Sequence, residues 1–426
     1  MICKRKLSSV FVAILVCGGF SYYISTNMRT PEHQKIRNRI SPTQESRREV
    51  AGRAGTCTPR RKFVFIATHK TGTVTTSNVF QRYAIIHKLP VLIPKSGNPI
   101  SWGLPPDEDD YIHTPDEQYG ALWNHMRYNK EWLRSKFPAD TAYFSIIRNP
   151  ANHLISAMNY YSLPQLLKLR DVINPVNEFS TNPWKYKNLS EVYFGFCNIT
   201  WDPTRNFIAF DLGYPAEGAE NEVLARQYIS ELETDFTLIM LLEYLDESLV
   251  LLKRLMCWEL KDVLYVVKNN RTYTYKMYTP SEEQISNLRK WKAVDYLLYE
   301  TFNTSLWRKI GAQGPDFHEE VFHFKKMNRD VNTYCLAYGR WEGAPNLTVA
   351  ASKWNHQFEV DAVFCRLIQS VVSQLMGQLR RGQEGGRTIL SEKVNIRAVM
   401  KGEPTFKYKI ERDIYLEMVN KHEAGQ

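Results

Sequence analysis

An α/β fold, a three-layer sandwich with helices on both faces of a central parallel sheet, follows from two features of the sequence. Runs of large apolar residues without alternation, at 63-FVFIAT-68, 143-YFSIIR-148, 236-FTLIMLLE-243 and 263-VLYVVK-268, read as strands buried on both faces. Segments with helical apolar spacing and helix-start signals separate them.

The first strand runs into 69-HKTGT-73, after which an apolar rhythm at Val79, Phe80, Tyr83 and Ile86 predicts a helix. The second strand is followed by Asn149-Pro150, a cap and a first-turn proline, and by the stripe Leu154, Ile155 and Met158. After the third, Asp246 is expected to cap a helix that buries Leu249, Leu252 and Met256. Thr279-Pro280-Ser281-Glu282 reads as a capping box with proline at the first helical position, opening a long helix that carries Trp291, Val294 and Leu298. Beyond residue 316 the chain is more polar, with a Gly/Arg-rich break at 381-RGQEGGR-387 and a candidate hairpin in 404-PTFKYKIERDIYLEM-418.

Ahead of this part, residues 1–6 read as a basic cytoplasmic tail and 7-LSSVFVAILVCGGFSYYI-24 as a transmembrane signal-anchor of 18 uncharged residues. A cleaved signal peptide is the alternative, since Val16-Cys17-Gly18-Gly19 offers small residues. Residues 25–60 are polar and form a stem; 61–315 form the main domain and 316–426 its C-terminal part. Both N-terminal readings put the bulk of the chain on the lumenal or extracellular side. Sequons at Asn188, Asn198, Asn270, Asn303 and Asn346 fit that side as glycosylation candidates on surface loops.

The net charge of +10 resides in the tail and stem, where residues 1–62 carry 13 Lys and Arg against three Glu. The folded part is balanced, which argues against a nucleic-acid partner. Cys57, Cys197, Cys257, Cys335 and Cys365 show no zinc-ligand spacing, so no metal is expected. Two disulfides and one odd thiol are open to them, with the pairing unspecified.

A strand, a short loop and a helix N-terminus together present unpaired N–H groups and a positive dipole end, to which anions bind. In 68-THKTGT-73, Lys70 adds a charge, Gly72 lets the backbone close around a phosphate, and Thr71, Thr73, Thr75, Thr76 and Ser77 offer hydroxyls. The lysine precedes the glycine, so the Walker form is absent and a nucleoside triphosphatase is disfavoured. Arg148 at the end of the second strand is placed to fork a second phosphate, with Ser156 in the early turns of the helix that follows to add a hydroxyl. Two such sites fit a nucleoside with phosphates at both ends. Read structurally instead, Lys70 and Arg148 are a surface lysine and a salt-bridge partner.

These segments resemble the galactosylceramide sulfotransferase-like, galactose-3-O-sulfotransferase family. The resemblance rests on 68-THKTGT-73, 124-NHMRY-128, 148-RNPANHLISAMNYY-161, 210-FDLGY-214, 243-EYLDESLVLLKRLMCWELKDVLY-265 and 298-LYETFNTSLWRKI-310, in the family's order. It implies a P-loop-like sulfotransferase fold in a Golgi membrane protein of single-pass type II topology. The implied reaction moves the sulfuryl group of 3′-phosphoadenosine 5′-phosphosulfate to the 3-hydroxyl of a terminal β-galactose on a glycolipid or glycoprotein. His69 and Lys70 are then catalytic. Lys70, Thr71, Gly72, Thr73, Val74, Arg148 and Ser156 bind the donor, and His125 and Arg127 line the acceptor, with His125 the second candidate base. Trp123 and Trp102 are candidates to stack on a sugar, and 94-PKSGNPISWGLPPDEDD-110 is the expected specificity loop. A homodimer is expected by analogy with other Golgi transferases. In one respect the sequence departs from the family: Ala67 stands where a lysine usually precedes the Thr-His-Lys. Two alternatives therefore stay open, another carbohydrate acceptor for the same donor and a catalytically inactive donor-binding or lectin-like glycoprotein.

Overall fold

The computed structural model describes residues 57–379, with short interruptions at 96–99, 101–104, 115–116, 195–198, 269–271, 274, 340, 342, 371–375 and 377–378. The apolar run 7–24, almost all of the stem and the hairpin candidate at 404–418 lie outside the described residues, as do Trp102, Cys197, Asn198 and Asn270. No helix among the described residues is long and apolar enough to cross a membrane.

Four parallel strands form the central sheet in the order β2-β1-β3-β4, where β1 is Phe63–Ile66, β2 Ala121–Leu122, β3 Ala142–Ile147 and β4 Leu238–Leu241. All residues of β1 and β4 are buried, so both faces are covered and the sheet is the middle of three layers. Three of the four expected strands are therefore present. The fourth, 263–268, is not a strand: a helical turn at Leu260–Val263 leads into irregular chain. Its backbone is satisfied by side chains instead of a ladder. Arg82 donates to the Leu264 carbonyl, Tyr265 N–H to Asn328, Asn332 to the Tyr265 carbonyl and Lys268 N–H to Thr75 Oγ1. The fourth strand of the sheet is instead the two-residue β2, paired along β1.

Helix α1 (Thr73–Ile86) follows β1 and lays Phe80 on Phe65 and Phe63, with ring centroids 4.6 and 5.2 Å apart. Helix α2 (Pro150–Tyr160) starts as expected, the Asn149 side chain accepting from the N–H groups of Ala151 and Asn152. A five-residue helix α3 (Phe207–Asp211) precedes α4 (Glu222–Asp235) and β4. Helix α5 (Leu245–Met256) begins one residue before Asp246, which lies in its first turn and accepts from Tyr265 OH instead of capping it. The later capping box pairs Ser281 with Gln284, not Thr279 with Glu282, because Ser281 Oγ accepts from Gln284 N–H and the Gln284 side chain returns to Ser281 N–H. Pro280 accordingly stands outside the helix. The long helix is broken at Lys292 into α6 (Glu282–Trp291) and α7 (Ala293–Gly311).

The same apolar core extends past residue 315. Helix α8 (Phe317–Tyr338) buries Phe317, Val321, Phe324, Met327 and Val331, and α9 (Ala362–Gln369) buries Phe364 and Ile368. Disulfides pair Cys57 with Cys257 and Cys335 with Cys365, at Cα–Cα distances of 5.7 and 5.0 Å. The first ties the chain ahead of β1 to the end of α5, and the second ties α8 to α9.

Candidate active site

Because β1, β3 and β4 run parallel, their C-terminal ends share one edge, where ligands bind in open α/β sheets. The loop after β1 turns into α1 through Gly72 at φ 84°, and a Cβ there would stand 2.6 Å from Leu242 Cδ1, just past β4. Only glycine combines that backbone with that approach. Lys70 takes a left-handed φ of 60°, and its Nζ lies 3.8 Å from the centre of the Tyr160 ring. The first N–H groups of α1, on Thr73 and Val74, have no intrahelical acceptor.

The hydroxyls of this loop do not all face the ligand side. Thr71 donates to the Thr68 carbonyl at 3.0 Å, Thr76 to the Gly72 carbonyl at 3.1 Å, and Ser77 to the Trp123 carbonyl at 3.2 Å. Short hydroxyl side chains on a helix bond the preceding turn readily, so hydroxyl count overstates the donors available to an anion. Thr71 is fully buried, and its contribution to the site is its backbone.

His69 is held from several sides. Its N–H donates to Asp211 Oδ2 at 2.6 Å, and its Nδ1 lies 3.0 Å from both Asp211 oxygens. With Nδ1–H given to that buried carboxylate, the basic nitrogen is Nε2. Phe207 and His125 stack on the ring, at centroid distances of 5.3 and 4.1 Å. Below the loop, His153 Nε2 donates to the His69 carbonyl at 3.1 Å, while its Nδ1 is buried without a hydrogen-bond partner among the described residues. Asp211 is the site residue that sequence reasoning missed. It lies within 210-FDLGY-214, a segment that carried the family resemblance but was given no role.

Burial, reinforced by the charges of Lys292, Arg148 and Lys70, holds His153 well below the usual histidine range, so it is neutral in the fold. The unfolded chain binds its proton near pH 6.5, so the fold loses stability as the pH falls below that value, by up to about 1.4 kcal/mol per pH unit for this one group. Urea unfolding at pH 7.5 and 5.5 should show that loss, and His153→Gln should reduce it.

Where a second anion site is expected, the structure differs from the sequence reading in one respect. Arg148 Nη1 lies 3.5 Å from the Lys70 carbonyl, so the two anchors are neighbours, and Ser156 is half-buried on α2. The N-terminus of α2, however, is already satisfied. Asn149 N–H donates to Glu243 Oε1 at 2.9 Å, Pro150 has no N–H, and the next two donors are taken by the Asn149 side chain. The first N–H groups of α2 are thus engaged within the protein, which leaves side chains such as the Arg148 guanidinium as the groups that could meet an anion at this end of β3. Glu243 is open to solvent, yet desolvation raises its pKa, as in a concave surface. Desolvation likewise lowers that of Arg148, opposed by Glu243.

His125 belongs to the site, but its Nδ1 donates to the Ala67 carbonyl at 2.6 Å, and desolvation followed by the neighbouring His69 holds it well below the usual range. Arg127 is buried, its guanidinium 4.2 Å from the Phe210 ring and its Nε 3.4 Å from the Phe210 carbonyl, so it braces the turn that carries Asp211. Trp123 is fully buried core and cannot stack on a sugar. Ala67 is likewise buried at the end of β1. The segment 94–110, expected to set specificity, is described only in part. Asn346 is exposed on a loop; Asn188 is exposed but lies in the short helix Lys187–Ser190, and Asn303 lies half-buried within α7, so neither of these two is on a loop. One exposed group among the described residues, Glu108, His113 and Glu117, could hold a metal ion, and it shares no residue with this site.

The loop carrying Lys70 and Gly72, the Arg148 guanidinium and the Asp211-bound His69 meet at one edge of the parallel sheet, an arrangement that suits a group-transfer enzyme such as a sulfotransferase. The galactose-3-O-sulfotransferase family model matches residues 1–354, and the chain belongs to that family. It is 33% identical to human galactosylceramide sulfotransferase over 295 residues, covering 68% of this chain and 67% of that one. It is 31% identical to pig galactose-3-O-sulfotransferase 2 over 296 residues, 67% and 71% of the two chains. With mouse galactose-3-O-sulfotransferase 3 the identity is 33% over 263 residues, 60% and 59% of the two chains. No solved structure matches the chain.

Proposed function

We propose that this enzyme transfers the sulfuryl group of 3′-phosphoadenosine 5′-phosphosulfate to the 3-hydroxyl of a terminal β-galactose. The observation that carries this reading is the contact between the two anion anchors, Arg148 to the Lys70 carbonyl, with the Asp211-bound His69 beside Lys70. The acceptor oxygen attacks sulfur, the bond from sulfur to the 5′-phosphate oxygen breaks, and that oxygen keeps the electron pair. His69 Nε2 takes the hydroxyl proton, and Asp211 stabilises the imidazolium that forms. Lys70 and the first N–H groups of α1 offset the charge growing on the leaving oxygen. Arg148 and Ser156 hold the 3′-phosphate.

The sulfate acceptor is read as a galactose-terminated glycolipid or glycoprotein; the relatives' names speak for galactose and, in one case, for galactosylceramide. The catalytic domain is read as lumenal and held in the Golgi membrane by residues 7–24; the two disulfides speak for an oxidising compartment around the domain, not for the anchor. Incubating the full-length enzyme with labelled donor and a panel of galactosides, lactosides and galactosylceramide tests the reading. Sulfate is expected at the galactose 3-position, and no transfer to any galactose acceptor would overturn it. Arg148→Ala should raise the KM for the donor by about tenfold or more, as for loss of one charge-assisted phosphate contact. An unchanged KM would remove Arg148 from the donor site.

A further inference from the structure

Lysine and aspartate are almost never fully buried unless paired. At the break between α6 and α7, Lys292 and Asp295 are both 0% exposed, with Nζ 2.9 Å from Oδ2. A buried ion pair is poor evidence for stability, because desolvation of two charges offsets their attraction. Its use lies in what it holds in register.

Among the described residues, the hydrogen bonds that link the pair, Trp291 and the start of α7 to a distant part of the chain go to one segment, Thr204–Ala209. Asp295 Oδ1 accepts from Ala209 N–H at 2.9 Å, and Lys292 Nζ donates to the Thr204 carbonyl at 3.4 Å. Trp291 Nε1 donates to Thr204 Oγ1 at 3.2 Å. In return, Asn206 Oδ1 accepts from Val294 and Asp295 N–H at 3.1 and 3.3 Å, capping α7 from outside. This segment becomes α3, which at five residues cannot hold its own shape. Its two ends flank the base, Phe207 stacked on the His69 ring and Asp211 bonded to His69 Nδ1. The Lys292 charge also bears on His153, which donates to the His69 carbonyl.

We propose that the buried Lys292–Asp295 pair is a positioning element for the catalytic base, fixing α3 so that Asp211 and Phe207 hold the His69 imidazole in its reactive orientation. The inference rests on reading His69 as the base. A base displaced by about an ångström loses on the order of tenfold to a hundredfold in rate with no change in how tightly the donor binds.

The test uses the full-length enzyme with both charges of the pair removed together, so that neither is left buried alone. Lys292→Met/Asp295→Asn keeps an oxygen for Ala209 N–H, whereas Lys292→Met/Asp295→Leu does not. The Met/Leu variant should lose about tenfold or more in kcat, with the calorimetric Kd for adenosine 3′,5′-bisphosphate unchanged, and the Met/Asn variant should recover most of that loss. Combined with Asp211→Asn, the Met/Leu change should add little further, because both act through the same hydrogen bond. Wild-type kcat in the Met/Leu variant, an equal loss of bisphosphate binding, or full additivity with Asp211→Asn would each overturn the proposal. If the Met/Leu variant does not fold, Asn206→Gly, which suits the left-handed φ of 47° and removes the other tie, carries the same expectations and the same overturning results. The base assignment fails separately, through a His69→Ala enzyme that keeps its turnover.

Discussion

Replacing His69 with alanine should lower kcat for sulfate transfer by about 10² to 10⁴-fold, the usual worth of a positioned general base. Binding of adenosine 3′,5′-bisphosphate should stay close to wild type, because the donor groups assigned here lie on Lys70, the start of α1, Arg148 and Ser156. The choice between the two stacked histidines follows from their partners. His69 Nδ1 meets the carboxylate of Asp211, which stabilises the imidazolium formed when Nε2 takes a proton. His125 Nδ1 meets only the Ala67 carbonyl, and burial beside His69 keeps it neutral. A carbonyl offers an imidazolium far less than a full negative charge does. His125→Ala should therefore cost less kcat than His69→Ala. Turnover assayed with labelled donor, together with calorimetry of the bisphosphate, separates chemistry from binding. Wild-type turnover in His69→Ala, or a larger loss in His125→Ala, would move the role of base away from His69.

The parts of this site that were legible in the sequence are those fixed by local chemistry. The loop 68–73 declares itself because a buried strand, a glycine and a helix start lie within a dozen residues, and Asn149-Pro150 caps α2 by direct neighbour contact. The place of Arg148 just past β3 is readable because it closes an apolar strand. What escaped depends on distant chain. Asp211 reaches His69 across 142 residues, from a helix too short to leave a periodic signal. The two-residue β2 has no pattern of its own and exists because β1 offers it an edge. Conversely, 263–268 has a strand's composition but finds its hydrogen bonds in Arg82, Asn328, Asn332 and Thr75, a choice made by tertiary packing. The loop hydroxyls were misjudged for a similar reason, since whether Thr71 or Ser77 faces a ligand or a carbonyl depends on rotamers that a sequence does not set.

Lys70→Ala should cost about 10² to 10³-fold in kcat, comparable to losing one donor aimed at a developing oxyanion. The reasoning turns on when its charge is needed. Before transfer, the bridging oxygen carries little charge, and the ammonium has an alternative seat over the Tyr160 ring, 3.8 Å from its centre. As the bond to sulfur lengthens, negative charge gathers on the leaving oxygen, and an ammonium at the mouth of this loop gains most at that moment. Its loss should therefore fall mainly on kcat, in contrast to Arg148→Ala, whose effect should fall mainly on the donor's KM. The left-handed φ of 60° at Lys70 sharpens the test, because Lys70→Gly relieves that backbone while removing the same charge. If charge is what matters, Lys70→Gly and Lys70→Ala lose kcat alike. If Lys70→Gly retains wild-type kcat while Lys70→Ala does not, the loop's conformation and not the ammonium carries the effect, and the leaving-oxygen role falls.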